Sequence, residues 1–317
     1  VIISDYFHNN EDVFTLEDFL RFVRAKGVKI SKSDAEGILR NSEYIFPLVN
    51  QNFVTRCGVF QNRWFSFKPS KEEVDKGYII FGHRAMPFAN SEITPDCFAV
   101  HVNNIFIEPE SVVISMNQAL DTFALFGEGY VIPYILNDRS NNSVSLSSVQ
   151  YSLPTEVCLT AWSLDTIAGK GQFKYGDRLL CRVTDWANGE IEVVVQKNSS
   201  QDFVVSSEAV EREQWYSVFE ETILASFNRH GPSQSIEEQL SFLFLENQEE
   251  LCVGNCGSIE EFLAHTSKIS FEPYGVESRI WKRGEVVPFA GVWNSCELLS
   301  DAVYSDVAET FSPAVID

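Results

Sequence analysis

The segment Gly176–Val183, the dipeptide Asn188-Gly189 and the β-branched run Glu190–Val195 follow one another closely. Asn-Gly between two such runs signals a hairpin, because both residues tolerate the positive φ of a tight turn. This part of the chain is thereby committed to antiparallel β-structure. Upstream, Tyr78–Phe81, Phe98–Val102, Val112–Ser115 and Val131–Ile135 are short runs rich in β-branched and aromatic residues. Asn90-Ser91, Pro95-Asp96, Asn103-Asn104, Pro109 and Asn137-Asp138 punctuate them. The pattern predicts a mostly antiparallel β region over residues 77–202. It includes one helix at Asn117–Phe126 and a polar loop or hairpin tip at Asp138–Ser148.

The flanking parts have helical spacing. Thr15 stands as an N-cap before Glu17 and Asp18, acids that the helix dipole favours in a first turn. Leu16, Phe19, Leu20 and Val23 then recur at helical spacing, and Gly27 ends the run. Ser33 and Glu36 read as a capping box that opens a second helix, with Ile38 and Leu39 inward and Arg40 and Asn41 outward. Phe53–Val59 and Arg63–Lys68, joined at Gln61-Asn62, read as an aromatic hairpin. Toward the C-terminus, Ser207–Phe227 is helical and Gly231-Pro232 breaks it. Ser235-Ile-Glu-Glu238 and Ser258-Ile-Glu-Glu261 open two further helices through capping boxes. Residues 269–293 read as strands, with Glu285–Pro288 and Gly291–Trp293 near the end, and the tail after Ser300 is acidic and loose.

Helix, short strand, helix and aromatic hairpin resemble a winged-helix domain over residues 12–70. That resemblance implies Ser33–Ser42 as a recognition helix and the Arg56–Arg63 hairpin as the wing. A third helix has to lie before Thr15 or in Glu43–Val49, where Pro47 is awkward. The hairpin of residues 173–197 is similar to part of an OB-type barrel. This similarity implies Trp162, Phe173 and Trp186 as base-stacking platforms; the alternative is plain structural β with the aromatics in a core. The expected fold class is α+β: a winged-helix-like domain at 1–76, a β-rich domain at 77–202 and a mainly helical, acidic domain at 203–317. A length of 317 residues suits two domains or three small ones at about 150 residues each.

Charge points to partners. With 24 Lys plus Arg against 45 Asp plus Glu, the net charge is −21, which opposes coating by nucleic acid along the whole chain. The three parts carry net charges of 0, −7 and −14 in chain order. Within the first, residues 21–71 hold ten Lys or Arg against Asp34, Glu36 and Glu43. This basic block reads either as a solvated face or as a footprint for phosphate or an acidic partner. Lys29, Lys32, Arg40, Arg56 and Arg63 flank the expected recognition helix or stand in the wing, and they are the nucleic-acid-binding candidates. The expected role is a non-enzymatic regulator or adaptor that contacts DNA or RNA there. One alternative is a module docking an acidic protein partner, and another is a hydrolase whose site is assembled from several segments.

No catalytic motif emerges. Gly169-Lys170-Gly171 lacks the Gly five residues earlier and the following Ser or Thr of a phosphate loop. His8, His83 and His101 have no neighbours that suggest a relay, and no catalytic residue or cofactor is assigned. His230, Cys252, Cys256 and His265 supply four nitrogen and sulfur ligands at zinc-compatible but loose spacing; two free thiols beside a Gly turn are the alternative. Seven unpatterned Cys predict reduced thiols and a cytoplasmic setting, with Cys57, Cys97, Cys158 and Cys181 in apolar or alternating segments. The triplets Asn141-Asn142-Ser143 and Asn198-Ser199-Ser200 carry no weight in that setting. Val1 is not followed by a signal-peptide pattern. No run reaches the roughly 18 apolar residues of a spanning helix, so no membrane partner is expected.

Overall fold

The computed structural model describes residues 1–48, 51–126, 128–141, 154–198, 207–275 and 277–289. The chain begins with helix α1 (Ile2–Asn9), strand β1 (Phe14–Thr15), helices α2 (Leu16–Ala25) and α3 (Lys32–Arg40) and strands β2 (Ile45–Pro47) and β3 (Asn52–Thr55). Helix α4 (Arg56–Phe60), strand β4 (Trp64–Phe67) and helix α5 (Lys71–Lys76) follow. The middle contains β5 (Tyr78–Ile79), β6 (Ala99–Val102), β7 (Ile105–Ile107), β8 (Glu110–Ser115), α6 (Met116–Thr122) and α7 (Glu128–Leu136). It continues with β9 (Glu156–Ser163), α8 (Leu164–Ala168), β10 (Arg178–Asp185) and β11 (Glu190–Gln196). Helices α9 (Ser207–His230), α10 (Ile236–Glu246), α11 (Gln248–Leu251) and α12 (Ile259–His265) precede β12 (Ile269–Tyr274) and β13 (Glu277–Lys282). The result is an α+β fold with several antiparallel sheets.

Local chemistry explains most element ends. Thr15 caps α2 through a reciprocal box with Asp18, and Ser70 caps α5 through one with Glu73. The hydroxyls of Ser235 and Ser258 accept from the Glu238 and Glu261 amides, as their sequence pattern predicts. The cap of α3 is Ser31 with Asp34, two residues before the expected Ser33 and Glu36. Strands β10 and β11 form the expected hairpin, with a bulge between Val183 and Asp185 and Gly189 at φ 67°. In the other sheets, β3 lies between β1 and β2, and β9 lies between β5 and β8.

Two expected strands take other forms. The hairpin over 53–68 does not form. Strand β3 stops at Thr55, whose hydroxyl accepts from the Gly58 amide at 2.9 Å and starts α4 instead. A Cβ at Gly58 would lie 2.7 Å from the Glu11 carbonyl oxygen, so glycine permits that helix to sit against the chain before β1. Strand β4 then pairs with β10, in a five-stranded sheet of order β4-β10-β11-β6-β7. Val131–Ile135 belongs to helix α7, where Val131, Tyr134 and Ile135 are buried at i, i+3 and i+4. Glu285–Pro288 is not a strand, while Gly291–Trp293 and the tail after Ser300 lie outside the described residues.

The largest core gathers buried residues from Phe46 to Val287. One ion pair crosses its edge. Arg56 is 0% exposed, with its guanidinium 2.9 Å from Glu237 and donating to the Glu43 carbonyl at 2.8 Å. Glu237 also accepts from the Ser91 hydroxyl at 2.7 Å. Removing one partner of such a pair leaves an uncompensated buried charge, so Arg56→Met should cost roughly 3–5 kcal/mol in urea unfolding. Arg56→Met/Glu237→Leu should recover most of that loss. A single-variant cost under about 1 kcal/mol would show that the pair does not constrain the fold.

Candidate functional site

A cavity of about 480 Å³ opens between β4, the loop after β5, the end of α6, and α12. Trp64, Phe65, Met86, Phe88, Leu125, Trp215, Leu251, Leu263 and Phe271 give it mainly apolar walls. Phe65 stacks on Phe88 with ring centroids 4.7 Å apart, and the Trp215 indole donates to the Leu251 carbonyl at 2.9 Å. These contacts hold the walls in place.

Its polar end is built by the loop Phe81–Phe88. Gly82 has φ 53°, and a Cβ there would fall 2.3 Å from the Thr122 carbonyl oxygen. Glycine therefore allows the loop to lie against the end of α6 and delivers His83 to the cavity wall. Arg84 points the other way. Its guanidinium forms a two-pronged pair with Glu73 at 2.6 and 2.9 Å, donates to the Ile80 carbonyl and covers the Phe67 ring. Burial pushes Glu73 up, but the Arg84 pair and the backbone donors of Ser70 and Ile80 leave it below the usual carboxylate range.

His83 Nε2 lies 4.0 Å from Glu260, in the first turn of α12. Burial, reinforced by the Arg84 charge and partly opposed by the backbone of Asp121, lowers the His83 pKa to about 4. Burial, with repulsion from Glu73 and Glu261, raises Glu260 despite attraction to Arg84. The site therefore presents a neutral imidazole beside a carboxyl group that takes a proton more readily than usual. His83, Arg84, Asp121 and Glu260 also line an adjoining cavity of about 210 Å³.

The nucleophile candidates on the walls are engaged or inert. Ser66 donates to the Cys256 carbonyl at 2.8 Å, Ser258 caps α12, and Ser270 donates to Glu272 at 2.5 Å. Burial pushes the thiol of the wall residue Cys256 up to about 12, and that of nearby Cys252 likewise, far from reactive thiolates. The arrangement suits reversible binding and proton exchange with a bound molecule.

The basic residues expected to bind nucleic acid lie elsewhere and are not one surface. Lys29, Lys32 and Arg40 are exposed near α2 and α3, with Lys32 2.9 Å from Glu17 and Arg40 3.0 Å from Glu36. Arg56 is buried against Glu237, which corrects its placement in an exposed wing. Arg63 is half-buried and donates to Gln248 at 2.7 Å, so it too faces the protein. Trp162, Phe173 and Trp186 are core residues rather than base-stacking platforms. The four zinc candidates do not converge: among the described residues no group of three or more His, Cys, Asp or Glu is placed to hold a metal ion. His230 instead meets Glu246 at 2.7 Å and stacks on Phe242. His83 carried a readable but unused signal, since Gly-His-Arg sits in a break between apolar segments; its partner Glu260 is remote in sequence.

The low pKa of His83 makes a signed prediction. The folded ring titrates near 4 and the unfolded one near 6.5, so folded protein binds fewer protons between them. Stability is then complete above the unfolded value and is lost as pH falls toward the folded value. Between about pH 7 and pH 4 the unaltered protein should lose on the order of 3 kcal/mol more than His83→Gln. Parallel unfolding curves across that range check it; equal losses would place the ring in contact with water.

The chain matches no protein-family model, and neither curated proteins nor solved structures include a significant match to it. The chemistry of the site itself therefore carries the functional conclusion.

Proposed function

We propose that this chain is a binding protein for a small molecule with an apolar body and one polar head, seated in the cavity between β4, Phe81–Phe88 and α12. The observation that carries this reading is an aromatic and aliphatic cavity of about 480 Å³ that ends at His83 and Glu260. Its size falls within the roughly 300–1,000 Å³ of small-molecule sites, and a few polar groups on apolar walls is their usual chemistry. Burying the apolar body would supply affinity at roughly 25 cal/mol per Å², and the polar end would fix orientation. The engaged serines and high thiol pKa values favour binding over covalent catalysis.

A second reading rests on a different observation. The order α1-β1-α2-α3-β2-β3, with β3 between β1 and β2, supports a winged-helix reading over residues 2–55. The third helix precedes Thr15, and the hairpin is β2–β3 rather than 53–68. Arg24, Lys26 and Lys29 are exposed at the end of α2 and in the turn to α3. These features support contact with nucleic acid or an acidic protein by this module. The two regions have a physical link: Met86, Ala124 and Leu125 wall both the candidate site and a cavity of about 450 Å³ that reaches Asn41–Tyr44, just after α3.

Both readings are testable. N-phenyl-1-naphthylamine should gain fluorescence in the cavity and quench Trp64 and Trp215. Ala264→Trp, which fills the cavity from an exposed position, should weaken that binding by about tenfold or more at an unchanged melting temperature. Unchanged binding in this variant would place the dye, and the proposed site, elsewhere. For the second reading, a labelled duplex should bind at about 50 mM salt, dissociate steeply as salt rises, and be lost in Arg24→Glu/Lys26→Glu/Lys29→Glu. Silence at low salt would hand that face to a protein partner.

A further inference from the structure

The charges around the polar end of the cavity do not cancel. Four carboxylates, Glu72, Glu73, Asp121 and Glu260, line the cavity pair against three cations, Lys76, Arg84 and Arg283, the last of which donates to the Thr266 and Ile269 carbonyls. Lys76 is 2.6 Å from Glu72, and Arg84 is locked in its two-pronged pair with Glu73. Among the described residues, neither Asp121 nor Glu260 has a Lys or Arg within ion-pair distance. His83 does not offset them, because its ring is neutral at physiological pH. Its ring lies against the Asp121 backbone, and its buried Nδ1 makes no well-aligned hydrogen bond.

We propose that the ligand is an organic cation, an alkyl or arylalkyl amine, whose ammonium group sits at the junction of the two cavities between Asp121 and Glu260. This rests on the reading of the large cavity as a ligand site. An ammonium group there supplies the missing positive charge and donates charge-assisted hydrogen bonds to both carboxylates. The aromatic walls suit the same ligand, since ring faces attract a cation and ring area buries its apolar body. A carboxylate head between Asp121 and Glu260 would add a third negative charge beside theirs. A neutral hydroxyl would leave the two acids uncompensated. Burial and its acidic neighbours raise the Glu260 pKa, and a cation beside it acts in the opposite direction.

A matched series distinguishes the choices. Decylamine, 1-decanol and decanoate, each below its aggregation limit, are titrated into the full chain by tryptophan quenching and calorimetry. The amine should bind at least about tenfold tighter than the alcohol, with the acid weakest, the difference expected of a hydrogen bond to a charged group. Glu260→Gln/Asp121→Asn should erase the preference of amine over alcohol. Equal or tighter binding of the alcohol or acid would overturn the cation inference and leave the cavity reading intact. Binding of none of the three, with no dye uptake, would overturn both. The series on unaltered protein decides the matter even if the double variant fails to fold.

Discussion

Strand β4 hydrogen-bonds to β10 with Phe67 opposite Leu179 and Phe65 opposite Cys181. The two segments are far apart in the chain, so their pairing closes a long loop, a cost that later contacts must offset. They do so through the alternate residues of β4. Phe65 stacks on Phe88, and Phe67 meets Phe81 edge to face. Phe81 and Phe88 bracket the loop that carries His83 and Arg84, so one short strand anchors both ends of the polar wall. Ser66 from the same strand donates to the Cys256 carbonyl and ties in the turn before α12, which brings Glu260. The candidate site therefore exists only once this non-local pairing is made, and a topology of this kind folds slowly.

Electrostatics follows a similar logic. The first part of the chain holds a surplus of cations over residues 21–71, and the last third is strongly acidic. In the folded chain one pair joins the two, Arg56 to Glu237. Other arginines also turn inward: Arg63 donates to Gln248, Arg84 meets Glu73, and Arg178 meets Glu261. Arginine fills all four roles, because a planar fork satisfies several acceptors at once where a lysine would leave some unmet. Arg24, Lys26, Lys29, Lys32 and Arg40 of the basic block stay exposed along α2, its turn and α3. Within the cavity pair, among the described residues, Asp121 and Glu260 have no Lys or Arg within ion-pair distance.

Features encoded within a few residues were legible. The Thr15, Ser235 and Ser258 caps and the Asn188-Gly189 hairpin are local hydrogen-bonding and steric facts, and each is present. Legibility failed where a partner had to be chosen. Thr55 suits a strand or a cap equally, and only the close approach of Gly58 to Glu11 selects the cap. Val131–Ile135 is too short for its period to distinguish a strand from a helix, and burial against the second core selects the helix. The candidate site was less legible still, since Glu73, His83, Asp121 and Glu260 share no motif.

The amino-acid sequence by itself determined the α+β class, the position of most helix starts, the β10–β11 hairpin and the uneven distribution of charge. Each depends on side-chain chemistry acting over a few residues or on composition alone. Tertiary structure alone decided that Arg56 and Arg63 turn inward, that β4 leaves the N-terminal hairpin for β10, and that His83 meets Glu260. Those outcomes depend on which distant surface offers a counter-charge or an unpaired strand edge, a property of the assembled chain that no short stretch of it carries.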